Sequence, residues 1–341
     1  MVFKRLLGSL GVGGPTVGTV LDHGAAVPGQ PLTGQIHLKG GDVGFDIEHI
    51  TLELVARVEA ETHDGEHEGA VVFDRFTAGG GFRLAEGDQR SIPFSVTLPW
   101  ETPITELHGQ SLGVVLGVRT ELAVDGAKDK GDLDPLHVRP LPVQEAILEA
   151  FGQMGYGFKS ADLELGRIGG TGQQLPFYQE LELTPPPEYA HTVSEIELTF
   201  LANPGGMEVV LEADKRGGLF SEGRDALNRH VVRHEGAAHR DWNAVVSSWI
   251  SQLIEHHASH GTPSGQRGPY GSHAHKDHHG HGDHHHGGGH HRSGPGMGTV
   301  VAAGAAGLAV GVVGGMVAAE VVDEIGDAFE GDEEEGGEEE A

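Results

Sequence analysis

Pro140 and Pro142 stand two residues apart, and the sequence changes character around them. Each proline fixes its own φ and pushes the residue before it toward an extended backbone. The stretch Leu136-His-Val-Arg-Pro-Leu-Pro-Val143 therefore reads as a stiff link. Beyond Pro142, Val143, Ile147, Leu148 and Phe151 recur at three and four, the spacing of a short helix. On either side lie segments of similar length that read as short strands and turns. A chain of this kind folds as two β units around a joint, assigned to residues 137–151 with Arg139, Pro140 and Pro142 as hinge residues.

The strand reading rests on period two. Leu32, Gly34, Ile36 and Leu38 alternate with polar neighbours after the Pro28-Gly29 turn. Ile50, Leu52, Leu54, Ala56 and Val58 alternate with Thr51, Glu53, Arg57 and Glu59, the pattern of a half-buried strand. Thr62 to Glu68 reads as a hairpin loop. Ile92, Phe94, Val96 and Leu98 alternate again, with Pro93 and Pro99 marking an edge position. Val114 to Val124 makes one long strand. In the second half Phe177 to Leu183, Val193 to Leu201 and Met207 to Ala213 repeat this layout, the last two across the Asn203-Pro-Gly-Gly206 turn. Evenly spaced short strands of this kind indicate antiparallel sandwiches. The fold class is mainly β: two antiparallel β-sandwich domains joined by a hinge, a short C-terminal helix and a low-complexity tail.

That helix follows Asp241, which can cap it. Trp242, Val245, Val246, Trp249, Ile250, Leu253 and Ile254 form one apolar stripe, suited to packing on the second sandwich or to docking a partner. At the other end, Phe3, Leu6, Leu7 and Leu10 suit a short amphipathic helix. The apolar run there is too short and glycine-broken for an export signal. The domain boundaries follow: residues 1–136 and 152–258 for the two sandwiches, the latter with its terminal helix, then 259–296, 297–322 and 323–341.

Residues 259–296 are a His/Gly-rich linker with little to bury, expected to be disordered. Its candidate metal ligands are His278, His279, His281, His284, His285 and His286, imidazoles that take up Ni²⁺, Zn²⁺ or Cu²⁺ adventitiously. These side chains also gain charge near or below pH 6.5, and could then pair with the acidic tail. Gly298 to Ala319 carries no charge and would be about 33 Å long as a helix, enough to cross a bilayer core. Gly307, Gly311 and Gly315 form a stripe that lets helices approach closely, in a membrane or in a homo-oligomer. Twelve acidic residues follow between Glu320 and Glu340. The net charge of −29 argues against nucleic acid, and the absence of cysteine excludes disulfides and thiolate metal sites.

Catalytic motifs fail on context. Gly109-Gln-Ser-Leu-Gly113 satisfies G-x-S-x-G, but the nucleophile elbow needs a strand before it and a helix after it, whereas an alternating strand follows Ser111. His230 and His234 are four apart, near His239, but Arg233 stands where a zinc enzyme of that spacing needs its carboxylate. A charged surface segment is the simpler reading, as it is for His63 and His67. No catalytic residue and no cofactor are assigned.

Several dispersed segments carry a resemblance. Phe3-Lys-Arg-Leu-Leu7, Thr19-Val-Leu21, Pro28-Gly-Gln30, Gly34 to Gly41, Ile47 to Leu54, Ile92-Pro-Phe94, Pro99-Trp-Glu-Thr-Pro103, Val138-Arg-Pro140 and Pro176 to Glu180 come in the order found in one family. Over roughly residues 1–258 the chain resembles the bacterial sporulation-control proteins of the stage-zero M (SpoOM) family. The resemblance implies two arrestin-like sandwiches around the hinge. It also implies a cytoplasmic, non-enzymatic regulator of sporulation or cell differentiation that works as a protein–protein adaptor. The alternatives from the residues themselves are a metal-binding protein using the His tract and an assembly factor peripheral to the membrane through 298–319.

Overall fold

The structure is a computed structural model that describes residues 13–22, 24–62, 65–126, 129–213 and 228–260. Alternation shapes its first half. β1 (Thr16–Leu21), β2 (Pro31–Lys39) and β5 (Gln89–Thr97) form a three-stranded antiparallel sheet. Leu32, Ile36 and Leu38 of β2 point inward and are buried. β5 lies at the edge of this sheet, where the missing N–H of Pro93 costs no ladder bond.

A second layer is built on β3 (Phe45–Thr62), which pairs along one side with β4 (Gly65–Leu84). On its other side, β8 (Leu116–Val124) pairs with it from Ile47 to Ala56, and β9 (Lys130–Pro135) follows β8. The inward residues Ile50, Leu52, Leu54, Leu116, Val118 and Leu122 meet the first sheet in one core. Between the layers, the Thr19 and Thr120 hydroxyls share a hydrogen bond of 2.6 Å, and the Thr19 N–H donates to Asp132 at 2.6 Å. These bonds satisfy the polar groups that closing the sandwich removes from water.

Past Ala56, β3 runs beyond the end of β8 and pairs in parallel with β10 (Gly157–Leu165) at Glu59 and Glu164. β11 (Phe177–Thr184), β12 (Ile196–Asn203), β13 (Gly206–Ala213) and β14 (Asn228–Arg233) continue antiparallel from there. The expected mainly β architecture is present. In one respect the second half differs from a sandwich. Among the described residues its strands form a single sheet, continuous with the larger sheet of the first half. Two helices supply the covering layer: α1 (Pro142–Gln153) and α2 (Trp242–His260) contact each other, α1 also contacts β10, and α2 contacts β13 and β14. Sequence periodicity shows that a strand has a buried face, but not whether a sheet or helices bury it.

Both helices carry the predicted stripes inward. Val143, Ile147, Leu148 and Phe151 of α1 are buried, as are Trp242, Val246, Trp249, Ile250 and Leu253 of α2. Pro142 opens α1, and the buried Gln144 side chain accepts the Leu141 N–H at 2.8 Å. The Ala244 N–H donates to Asp241 at 3.1 Å, the cap expected from the sequence. β10 was not among the strands expected from the sequence, because its alternation is confined to Ala161, Leu163 and Leu165. Among the described residues no helix is long and apolar enough to cross a membrane. Residues 1–12 and 261–341 lie outside the described residues, and with them the N-terminal helix, the six candidate histidines of the His tract, and Gly307, Gly311 and Gly315.

Candidate functional site

The joint is held from both sides. Val138 makes a parallel bridge with Ala26: the Ala26 N–H donates to the His137 carbonyl at 2.7 Å and the Arg139 N–H to the Ala26 carbonyl at 2.9 Å. Thr105 closes the other side, donating its N–H to the Val138 carbonyl at 2.9 Å and accepting the Val138 N–H on its hydroxyl at 2.8 Å. Of the three assigned hinge residues, Arg139 is exposed, Pro140 is buried and Pro142 starts the helix.

Loop 99–105 of the first half then reaches the second. The Gln179 side chain accepts the Ile104 N–H at 3.0 Å and donates to the Ile104 carbonyl at 2.8 Å. Glu101 accepts the N–H groups of Gln174 and Leu175 at 2.8 and 2.9 Å. Burial raises the Glu101 pKa, while those two donors and Arg167 pull it down. Trp100 stacks on His234 with ring centroids 5.2 Å apart. The Trp100 indole also lies on Gly29, where a Cβ would come within 2.5 Å of the ring and where φ is +73°. Only glycine suits that turn. Rotation of one half against the other about Arg139 and Pro140 requires these bonds to open.

The second feature is electrostatic. In β10 to β13 the period that turns Leu163, Leu181, Leu198 and Leu211 inward turns carboxylates to the opposite face. Register aligns them: Ser160, Glu182, Glu197 and Glu212 form one row, Asp162 faces Glu180, and Glu164 faces Tyr178. Carboxylate oxygens of Asp162, Glu164 and Glu180 lie within 4.8 Å of one another. At the margin Lys159 binds Glu182 at 2.8 Å and Glu195 at 2.5 Å. Against the cost of burial, Lys159 and Ser160 hold the Glu182 pKa below its ordinary value.

Further into the face, burial and like charge dominate at Glu180 and Glu197. Burial, then the charges of Glu197, Asp162, Glu164 and Glu212, push Glu180 up to about 9. Burial and Glu212 push Glu197 to about 7. Like charges in a half-buried array cannot all ionise cheaply, so protons stay on. A cationic side chain or a hard divalent cation arriving from outside would displace them.

The match to known proteins agrees with this fold. The sequence profile of a family described as SpoOM protein matches residues 3–217. The chain belongs to the SpoOM family. A SpoOM relative from Bacillus subtilis (strain 168), named sporulation-control protein spo0M, is 36% identical over 216 residues, which is 63% of this chain and 81% of that protein. The crystal structure of Spo0M from Bacillus subtilis superimposes with a TM-score of 0.64 at 30% identity, covering 71% of this chain and all of that one. The His tract and the glycine stripe lie beyond the residues that the SpoOM profile matches.

The remaining motifs have local explanations. Ser111 ends β7 (Gln110–Ser111), paired with β6 (Glu106–Leu107), and its hydroxyl accepts the Gly113 N–H at 3.2 Å. A hairpin followed by β8 replaces the strand–turn–helix of an elbow. His230 sits on β14, stacked on Trp249 at 4.5 Å, and burial lowers its pKa. It is thus a packing residue, more covered than a surface segment would leave it, and the i, i+4 pairing with His234 falls off a helix altogether. His67 is exposed on β4, and His63 lies outside the described residues. The acidic face had a sequence signal, in Asp162 and Glu164, Glu180 and Glu182, and Glu195 and Glu197. Only the register across strands brings these into one array.

Proposed function

We propose that this SpoOM protein is a non-enzymatic, cytoplasmic regulator of sporulation or cell differentiation, acting as an arrestin-like adaptor whose second-half sheet face receives a basic partner. The observation that carries the reading is the stacked row of Glu182, Glu197 and Glu212 beside Asp162, Glu164 and Glu180. Holding carboxylates protonated near neutral pH opposes folding, and perturbed groups of this kind concentrate at functional sites. A partner presenting lysines or arginines recovers that energy by ionising them, which makes the charge array a source of specificity and fast association. The name of the Bacillus subtilis relative supports the developmental context, and loop 99–105 ties β11, the strand that carries Glu180 and Glu182, to the first half.

The test has two arms. Full-length protein carrying Glu180→Gln and Glu197→Gln should fold and lose the partners that wild type captures from sporulating cells. The wild-type capture should itself weaken several-fold between 0.1 and 0.5 M salt, as exposed charge pairing does. Cells carrying the double variant should sporulate as a deletion strain does. Unchanged capture and unchanged sporulation with the double variant would overturn the reading.

A further inference from the structure

At the tip of the hairpin between β6 and β7, His108 has φ +52°, and it is the one non-glycine residue with positive φ among the described residues. Gly109 beside it has φ +76°. Two positive φ values in a two-residue turn define the twisted hairpin type that favours Asn-Gly, and histidine is among the non-glycine residues that adopt such a φ. Its imidazole faces α1. Nδ1 lies 3.4 Å from Glu145 Oε1 and Nε2 lies 3.9 Å from Glu149 Oε1. Glu145 and Glu149 are four apart and share one side of the helix.

We infer that His108, Glu145 and Glu149 form a binding site for a divalent first-row transition ion of the Zn²⁺ or Mn²⁺ class. One ligand atom from each residue lies within 4.8 Å of the other two. Ligands at about 2.0–2.2 Å from an ion stand roughly 3–3.5 Å apart, so small side-chain rotations close the set. Two carboxylates and a neutral imidazole balance a divalent charge. The imidazole disfavours Ca²⁺ and Mg²⁺, and the missing sulfur disfavours Cu⁺. All three side chains are about half exposed, which leaves the outer coordination positions to water. The ion would tie the first-half hairpin to the helix that follows the joint, a connection separate from both the acidic face and the His tract.

Mn²⁺ added to the full-length protein is the probe, because it is the weakest of the series for an imidazole-only tract. The expected result is that amide resonances of His108, Gly109, Glu145 and Glu149 broaden at equimolar Mn²⁺ and recover when Zn²⁺ displaces it. His108→Asn keeps a residue suited to the turn and should weaken the effect by at least roughly tenfold, the lower bound for losing even an outer-shell partner. Glu149→Gln, which leaves the hairpin untouched, should do the same. Broadening that persists undiminished in both variants, or that spares these amides while tail histidines respond, would overturn the site.

Discussion

Glu53 and Glu180 lie on one continuous sheet, and their surroundings are opposite. Glu53 of β3 is fully buried, and its ladder partners on both sides are arginines: Arg75 on β4 and Arg119 on β8. Arg75 Nε donates to its carboxylate at 2.6 Å and Arg119 Nε at 2.7 Å. Alternation carries the same face through Val55 and Arg57 to Glu59, beside Glu164, and there the balance reverses. Glu180 is surrounded by Asp162, Glu164, Glu197 and Glu212, with Lys159 at the margin. The difference teaches that one sheet holds a carboxylate between two arginines in one half and gathers carboxylates beside one another in the other. A satisfied buried carboxylate is structure. An array held partly protonated is where the proposed basic partner would gain most by binding.

The strongest test of this contrast is removal of each carboxylate. Glu53→Ala strands a guanidinium that is itself 11% exposed at Arg119, and breaking a buried ion cluster costs about 3–5 kcal/mol. A urea midpoint close to wild type would abolish the distinction. Glu197→Gln at pH 8 should instead be neutral or stabilising, by on the order of 1 kcal/mol or roughly 2–4 °C in Tm.

Next in size is the link that joins the two regions. Gln179→Ala removes both hydrogen bonds to Ile104 and leaves its buried backbone groups without them, a loss of about 1–3 kcal/mol. If the halves turn about Arg139 and Pro140, the same variant should also broaden the distance distribution between spin labels placed on β2 and β13. An unchanged distribution with lowered stability would make the contact a rigid weld.

The pH profile separates the regions further. The folded protein keeps protons on Glu197 to about pH 7 and on Glu180 to about pH 9, whereas the unfolded chain releases them near the ordinary carboxylate value. The folded state binds more protons in that window, so stability contributed below it is lost as pH rises. Thermal melts should show Tm falling by a few degrees between pH 5.5 and 8.5. Asp134, raised to about 7 by burial and by Asp132, adds a contribution of the same sign. Glu180→Gln with Glu197→Gln should therefore flatten the slope in part; an unaltered slope would place its origin elsewhere. The smallest effect is expected at Lys159, half exposed between Glu182 and Glu195. Lys159→Ala should change stability by no more than about 0.5–1 kcal/mol, as exposed ion pairs do.

Much of the fold was legible because it depends on local pattern. The period-two runs in β2, β3, β5, β8 and β11 to β13, the helix after Pro142 and the cap at Asp241 are all short-range consequences of backbone geometry and burial. The dispersed family segments were also legible, and they pointed to the family that the profile match shows. What pattern could not supply was partnership. Glu53 reads as the wet side of a half-buried strand, because nothing in Ile50 to Glu59 says that Arg75 and Arg119 arrive on both flanks. β10 was assigned to no element, since its alternation runs only from Ala161 to Leu165, and it is a strand through pairing with β3 and β11.

The sequence by itself determined which residues seek water and which avoid it, and with what period. It therefore determined that this protein is built mainly of sheets, with amphipathic helices after Pro142 and after Asp241. Tertiary structure alone decided that β3 outruns β8 and carries one sheet across both halves, that helices cover the second half, and that carboxylates far apart in the chain share a row. The reason is that strand register and face-to-face burial depend on contacts between distant segments, whose energies no local window contains.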